Sequence, residues 1–324
     1  MRRRDFIAGI GGAAIMPLVA RAQSTRPVIG FFRTTPAASF VHLLAAFRQG
    51  LADGGFVDGQ NVTIEQRWAN NQLDRLPALA RDLVERRVSA IVGNGEAMRA
   101  AKAATSSIPI VFVIGDDPIK SGLVDSFSRP SGNVTGVTFF GGSQLNAKRL
   151  DLLHDLTPKA NLVAVLVDKS YAAFVRELPD VEYVARTLGQ RIVSVEVGRD
   201  NEIEAAFDKL VQAGASAMLV SGGPLITSQR NKVVALAARH GIPAIYDVRE
   251  FAQAGGLISY SASISDAYRR AGGYVSRILQ GDKPSDLPVQ QAMQFELVIN
   301  LKAAKALGIT VPQTLLVAAD EVIE

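Results

Sequence analysis

The strongest constraint in this sequence is a unit that occurs twice. Val88-Ser89-Ala90-Ile91-Val92-Gly93-Asn94-Gly95 runs through an Ala-rich stretch to Ile108-Pro109-Ile110-Val111-Phe112. Ala215-Ser216-Ala217-Met218-Leu219-Val220-Ser221-Gly222-Gly223 runs through a similar stretch to Ile242-Pro243-Ala244-Ile245-Tyr246. Each copy reads as a buried strand, a glycine-containing turn, an amphipathic helix, an Ile-Pro joint and a second buried strand. Ser89 and Pro109 are 20 residues apart, Ser216 and Pro243 27. Two α/β units of this kind predict two similar lobes with a cleft between them, and 324 residues are enough for both.

Composition narrows the chemistry. The chain has no cysteine, which removes disulfides, thiol catalysis, cysteine-bound metal and a lipidated N-terminal cysteine. The net charge of +4 is concentrated at the start, where Arg2, Arg3, Arg4 and Arg21 with Asp5 leave the rest of the chain nearly neutral. Arg86-Arg87 and Arg269-Arg270 fall on helices as solvated pairs. No concentrated basic track for nucleic acid follows from this pattern.

The first 22 residues read as an export signal. A basic start, a weakly apolar run from Phe6 to Ala20 and the small residues of Ala20-Arg21-Ala22 predict cleavage before Gln23. Arg3-Arg4-Asp5-Phe6-Ile7 resembles the twin-arginine consensus. The sequence shows no second apolar segment, so the expectation is a soluble periplasmic protein.

The remaining pattern alternates strands and helices. It predicts two doubly wound Rossmann-like lobes, 27–138 and 141–254. After Gly255 the chain is expected to return to lobe 1 over 259–284 and to cross back to lobe 2 over 289–312, giving a three-crossing hinge. Residues 313–324 read as an extended tail.

The search for catalytic groups finds little. His42, His154 and His240 are far apart and lack the i, i+3 or i, i+4 partners of a metal site. There is no G-x-S-x-G elbow and no Walker A loop. Gly93-Asn94-Gly95-Glu96-Ala97-Met98 imitates a dinucleotide fingerprint, with Asp116 about 20 residues on. However, Met98 stands where the third glycine is required, and the match falls on the third βα unit. An exported nucleotide-dependent enzyme is the rival reading that this turn keeps open. As a binding site the same turn offers backbone N–H groups at a helix N-terminus to a ligand carboxylate. The polar residues expected to converge on a cleft are Thr34, Thr35, Asn94, Gly95, Glu96, Asp116, Asp117, Thr138, Ser170, Tyr171, Ser221, Gly222, Tyr246, Ser259 and Tyr260. They suit a small organic ligand held by a few anchors, with no cofactor and no metal.

Several runs resemble a known family. They are Gly115-Asp116-Asp117-Pro118-Ile119, Arg129-Pro130-Ser131-Gly132-Asn133-Val134-Thr135-Gly136-Val137-Thr138, Gly255-Gly256-Leu257-Ile258-Ser259-Tyr260, Gly281-Asp282-Lys283-Pro284, Phe295-Glu296-Leu297-Val298-Ile299-Asn300-Leu301 and Ala319-Asp320-Glu321-Val322-Ile323. Together they resemble the ABC-transporter substrate-binding proteins related to tryptophan- and tyrosine-binding proteins. The resemblance spans the whole mature chain. It implies a type I periplasmic binding-protein fold, no enzymatic activity, and partnership with an inner-membrane ABC permease and its ATPase. It also places Asn94, Gly95, Asp117, Ser221, Ser259 and Tyr260 on cleft-facing loops. One departure is the loop Asp168-Lys169-Ser170-Tyr171, where family members often carry an Asn-Pro-rich sequence. An aromatic or branched amino acid is the expected ligand and a monomer the expected state. A ligand sensor acting through a membrane receptor is compatible with the same sequence.

Overall fold

The computed structural model describes residues 26–139, 142–291 and 295–324. The expected signal segment lies outside these residues. Lobe 1 begins with β1 (Val28–Arg33), α1 (Val41–Asp53), β2 (Thr63–Trp68), α2 (Leu76–Glu85), β3 (Ala90–Asn94) and α3 (Gly95–Ala104). It continues with β4 (Ile110–Ile114) and β5 (Val134–Thr138). Every residue of β3, β4 and β5 is buried, as expected of parallel strands covered on both faces.

Lobe 2 contains α4 (Gly142–Leu156), β6 (Leu162–Asp168), α5 (Ala172–Thr187), β7 (Arg191–Val197), α6 (Ile203–Gln212) and β8 (Ala217–Val220). Then come α7 (Pro224–Ser228), α8 (Arg230–Arg239), β9 (Ala244–Tyr246), α9 (Arg249–Gln253) and β10 (Ile258–Ala262). The closing elements are α10 (Ile264–Leu279), β11 (Gln290–Gln291), β12 (Phe295–Asn300), α11 (Leu301–Ala306), α12 (Gln313–Ala318) and β13 (Glu321–Ile323). The seven extra residues in the second copy of the repeated unit accommodate α7, which has no counterpart in the first copy.

The first sheet runs β11-β5-β4-β3-β1-β2 and the second β13-β12-β10-β9-β8-β6-β7. Pairing is parallel throughout except between β10 and β12. Each sheet separates two apolar layers. The layer around Phe31, Phe47 and Tyr268 covers one face of the first sheet, and Phe112, Met98 and Leu83 fill the other. In each sheet the strand order reverses at one place, between β1 and β3 in lobe 1 and between β6 and β8 in lobe 2. Ligand crevices in doubly wound sheets form outside the strand ends at such a reversal.

The connections differ from the sequence expectation in three respects. Strand β10 does not return to lobe 1. Its residues pair with β9 and β12, so the chain crosses only after Ala262. It is the following helix, α10, that joins lobe 1. Ser263 caps that helix by accepting from the Asp266 amide at 3.3 Å. The return to lobe 2 also comes later, because Gln290 and Gln291 extend the first sheet beside β5. Finally, the tail is ordered: α12 leads to β13, which is the edge strand paired with β12. The chain thus passes between the lobes three times.

Helix α10 is held tightly to α1. Leu43, Leu44, Phe47 and Leu51 form the buried face of α1, as their spacing predicts. The two helices meet at Gly50 and Gly272. A Cβ on Gly50 would lie 1.8 Å from the Arg269 carbonyl oxygen, and one on Gly272 2.4 Å from that of Phe47. Only glycine at both positions permits this approach.

Candidate functional site

The two reversal points face one another across a cavity of about 890 Å³, its open mouth included. Lobe 1 contributes the ends of β1 and β3. The Thr34 amide donates to Asn94 Oδ1 at 3.1 Å, and Asn94 Nδ2 donates to Thr34 Oγ1 at 2.9 Å. This pair holds the two loops together and leaves Gly95, the first residue of α3, open to the cavity. A Cβ on Gly95 would meet nothing within 4 Å. Glu96 also lines the wall and is ion-paired with Arg99.

Lobe 2 contributes the ends of β6, β8 and β9. Asp168 is fully buried and accepts from the Ser170 amide and hydroxyl and from the Leu225 amide. It thereby ties the β6 loop to the start of α7. Gly222 and Gly223 both have positive φ. A Cβ on Gly223 would lie 2.5 Å from Asp168, and one on Gly222 1.7 Å from Asp247. The double glycine is therefore what lets two carboxylates crowd this turn.

The apolar part of the cavity is formed by Phe40, Leu43, Val113, Phe139, Ile264 and Tyr268. Arg33 is buried among them. Its guanidinium carbon lies 4.3 Å from the Phe40 ring centroid and 5.2 Å from that of Tyr268, and it donates to the Tyr268 hydroxyl and to Thr35. Among the described residues it has no carboxylate partner. Burial holds its pKa below the usual arginine value.

A second, more polar chamber of about 430 Å³, its open mouth included, adjoins the first at Gly115, Phe139, Tyr171 and Asp247. Asn146, Arg149, Glu177 and Ser221 line it. Arg149 is committed to the Tyr260 carbonyl at 2.8 Å and to Asn146 Oδ1 at 2.8 Å, and Asn146 donates to Glu177 at 2.6 Å. Burial pushes Glu177 up to about 6, against the attraction of Arg149. Burial likewise pushes Asp247 up to about 6, again opposed by Arg149, with Glu250 and Asp168 adding to the rise.

The lobes are in contact around the cavity. Tyr171 of lobe 2 donates to the Gly115 carbonyl of lobe 1, and Arg176 pairs with Asp116 at 2.7 Å. Burial, followed by nearby carboxylates, raises the Tyr171 phenol, so it remains a donor. On the opposite rim Ser39 donates to the Ser228 carbonyl, Asn71 to the Ser228 hydroxyl, and His42 meets Glu250 at 2.9 Å. This is a closed cleft, lined from both sides.

The sequence profile of the ABC transporter substrate binding proteins matches residues 29–323. The chain belongs to that family. It is 27% identical over 262 residues to a tyrosine-binding protein of Clostridioides difficile, covering 81% of this chain and 75% of the relative. The crystal structure of an ABC domain in complex with L-Trp from Streptococcus pneumonia is 26% identical, with a TM-score of 0.84 over 92% of this chain and all of the other. A ligand-free, open substrate binding protein from Clostridium difficile is 24% identical, with a TM-score of 0.66 over 92% of this chain and 99% of the other. The fold is that of type I periplasmic binding proteins.

In this substrate-binding protein, eight of the expected residues reach the cavities: Thr34, Asn94, Gly95, Glu96, Asp116, Ser170 and Tyr171 on the main chamber, and Tyr171 again with Ser221 on the polar one. The other seven sit elsewhere. Thr35 is buried behind the wall and accepts from Arg33. Thr138 donates to the Asp116 carbonyl and so positions that loop. Asp117 caps its own turn by accepting from the Ile119 and Lys120 amides. Gly222 gives way to Asp247 rather than lining the wall. Tyr246 is in the interior, stacked 4.6 Å from Phe251. Ser259 is buried in β10, and Tyr260 stacks on Phe295 at 5.8 Å, offering only its carbonyl to Arg149.

The imitation of a dinucleotide fingerprint also has a packing explanation. A Cβ on Gly93 would lie 1.7 Å from the Phe32 carbonyl oxygen, so this glycine serves the contact with β1. Met98 is fully buried in the apolar layer behind the sheet. Among the described residues no group of three or more His, Asp or Glu side chains could hold a metal ion, and no helix is long and apolar enough to cross a membrane. Sequence reasoning missed Arg33, Arg149, Glu177 and Asp247. The available signal was position: Asp247 directly follows a buried strand, as Asp116 nearly does in the first copy.

Proposed function

We propose that this chain is the periplasmic capture component of an ABC importer, closing on an amino acid with an aromatic or branched side chain. After export and removal of residues 1–22 it would work as a soluble monomer, present the closed cleft to an inner-membrane permease, and release the ligand there. The observation that carries this reading is the cavity lined from both lobes, with an apolar chamber opening onto charged groups. Phe40, Leu43 and Tyr268 suit a large apolar side chain, and Arg33 with the first turn of α3 suits a carboxylate. The tyrosine-binding relative and the L-Trp complex support the ligand class. A ligand can favour closure only by contacting the closed form better than the open one, and walls from both lobes provide that difference.

A thermal-shift screen with the twenty amino acids and a set of sugars and polyols tests this reading. L-tryptophan, L-tyrosine, L-phenylalanine or L-leucine should raise the melting temperature. A response restricted to sugars or polyols would contradict it.

A further inference from the structure

The charged groups around the cavity are paired, with one conspicuous exception on lobe 2. Asp116 has Arg176, Glu96 has Arg99, Glu250 has His42, and Asp168 accepts from Ser170 and Leu225. Asp247 lines both chambers, yet its Oδ1 is buried without a hydrogen-bond partner. Its nearest source of positive charge, Arg149, directs its hydrogen bonds to Tyr260 and Asn146 instead. The polar chamber thus contains two carboxylates, Asp247 and Glu177, and a single guanidinium. Leaving a buried carboxylate oxygen without a donor is costly, and such a group is expected to have a partner that completes it.

Resting on the reading that the cleft captures an amino acid, we infer that Asp247 is the anchor for the ligand's cationic amino group. An ammonium has only donors, fits an acceptor-only oxygen, and brings the second positive charge that the chamber lacks. The location is as telling as the charge. Asp247 sits at the waist between the apolar and polar chambers, so an amine bound there points a side chain toward Phe40 and Tyr268. The double glycine Gly222-Gly223 acquires a reason as well, since a side chain at Gly222 would occupy the position of the Asp247 carboxylate. Asp247 is therefore a specificity residue, separating amino acids from carboxylic acids of the same shape.

The test uses matched probes on the wild-type mature protein. Calorimetric titration compares L-tryptophan with indole-3-propionate, L-tyrosine with 3-(4-hydroxyphenyl)propionate, and L-leucine with 4-methylpentanoate; each pair differs by the amine alone. The amine-bearing member should bind at least about tenfold more tightly, the effect of one charge-assisted hydrogen bond to a buried group. Asp247→Asn keeps the shape and should remove most of that preference, with an unchanged circular dichroism spectrum. Equal affinity within each pair, or a preference that survives in Asp247→Asn, would overturn the assignment while leaving the amino-acid cleft intact. No binding by any of the three amino acids would instead overturn the reading on which it rests, and the assignment with it.

Discussion

At the scale of single residues, parity explains much of what the sequence could and could not reveal. Side chains alternate across a strand, so at the end of β9 either Tyr246 or its neighbour faces the cleft. The aromatic ring draws attention in the sequence, but the core takes it, and Asp247 is left facing the cavity. Arg33 was hidden for a similar reason: an arginine after a buried strand looks solvated until Phe40 and Tyr268 close around it. Asn94 and Gly95, by contrast, were legible because a strand–turn–helix pattern requires them at the mouth.

Two predictions belong at this scale. A Cβ on Gly115 would lie 2.5 Å from the Phe139 ring and 2.7 Å from the Tyr171 hydroxyl, so Gly115→Ala should obstruct closure. Overpacking of about 1–3 kcal/mol placed on the closed form would weaken binding about five- to 150-fold. Calorimetry with L-tryptophan checks this.

The second concerns pH. Asp247 is pushed up to about 6 by burial, with Arg149 of α4 opposing and Glu250 of α9 and Asp168 of β6 adding. Its unfolded value is about 3.9. Between these values the folded chain holds the extra proton. The stability this provides is complete below about pH 4 and is lost as pH rises through about 6. Ligand binding has the opposite sign, because the amine needs the carboxylate. The melting-temperature increment from L-tryptophan should therefore grow between pH 5 and about 7, and an increment independent of pH would contradict the role given to Asp247.

At the scale of elements, the two copies of the repeated unit were legible because buried parallel strands read as unbroken apolar runs. The order of the connections was less so. Whether β10 belongs to one lobe or the other depends on hydrogen bonds to β9 and β12, which are distant in sequence, and Gly255-Gly256 marks only that a turn precedes it. The anchoring of lobe 1 by α10 likewise depends on two glycines meeting across helices. Gly272→Ala would bring its Cβ within 2.7 Å of the Leu51 amide nitrogen. It should destabilise the protein by about 1–3 kcal/mol in a urea melt, since backbone atoms cannot move aside as a flexible side chain can. A change under about 0.5 kcal/mol, the range of neutral surface substitutions, would show that α10 packs more loosely on α1 than described.

At the scale of the whole molecule, the bonds across the rim set how easily the lobes separate. His42 Nε2 lies 2.9 Å from Glu250 at the edge of the cleft, with the histidine side chain 38% exposed and the glutamate 15%. Exposed pairs contribute about 0–1 kcal/mol. His42→Ala should therefore weaken ligand binding by no more than about fivefold, and a larger loss in titration calorimetry would assign His42 a direct ligand contact. The central claim is that one ligand is gripped by both lobes, and small-angle X-ray scattering of the mature protein tests it most directly. Adding saturating L-tryptophan, or whichever amino acid raises the melting temperature most, should reduce the radius of gyration as an open population closes. Binding confirmed by calorimetry with no change in that radius in the wild-type protein would contradict it.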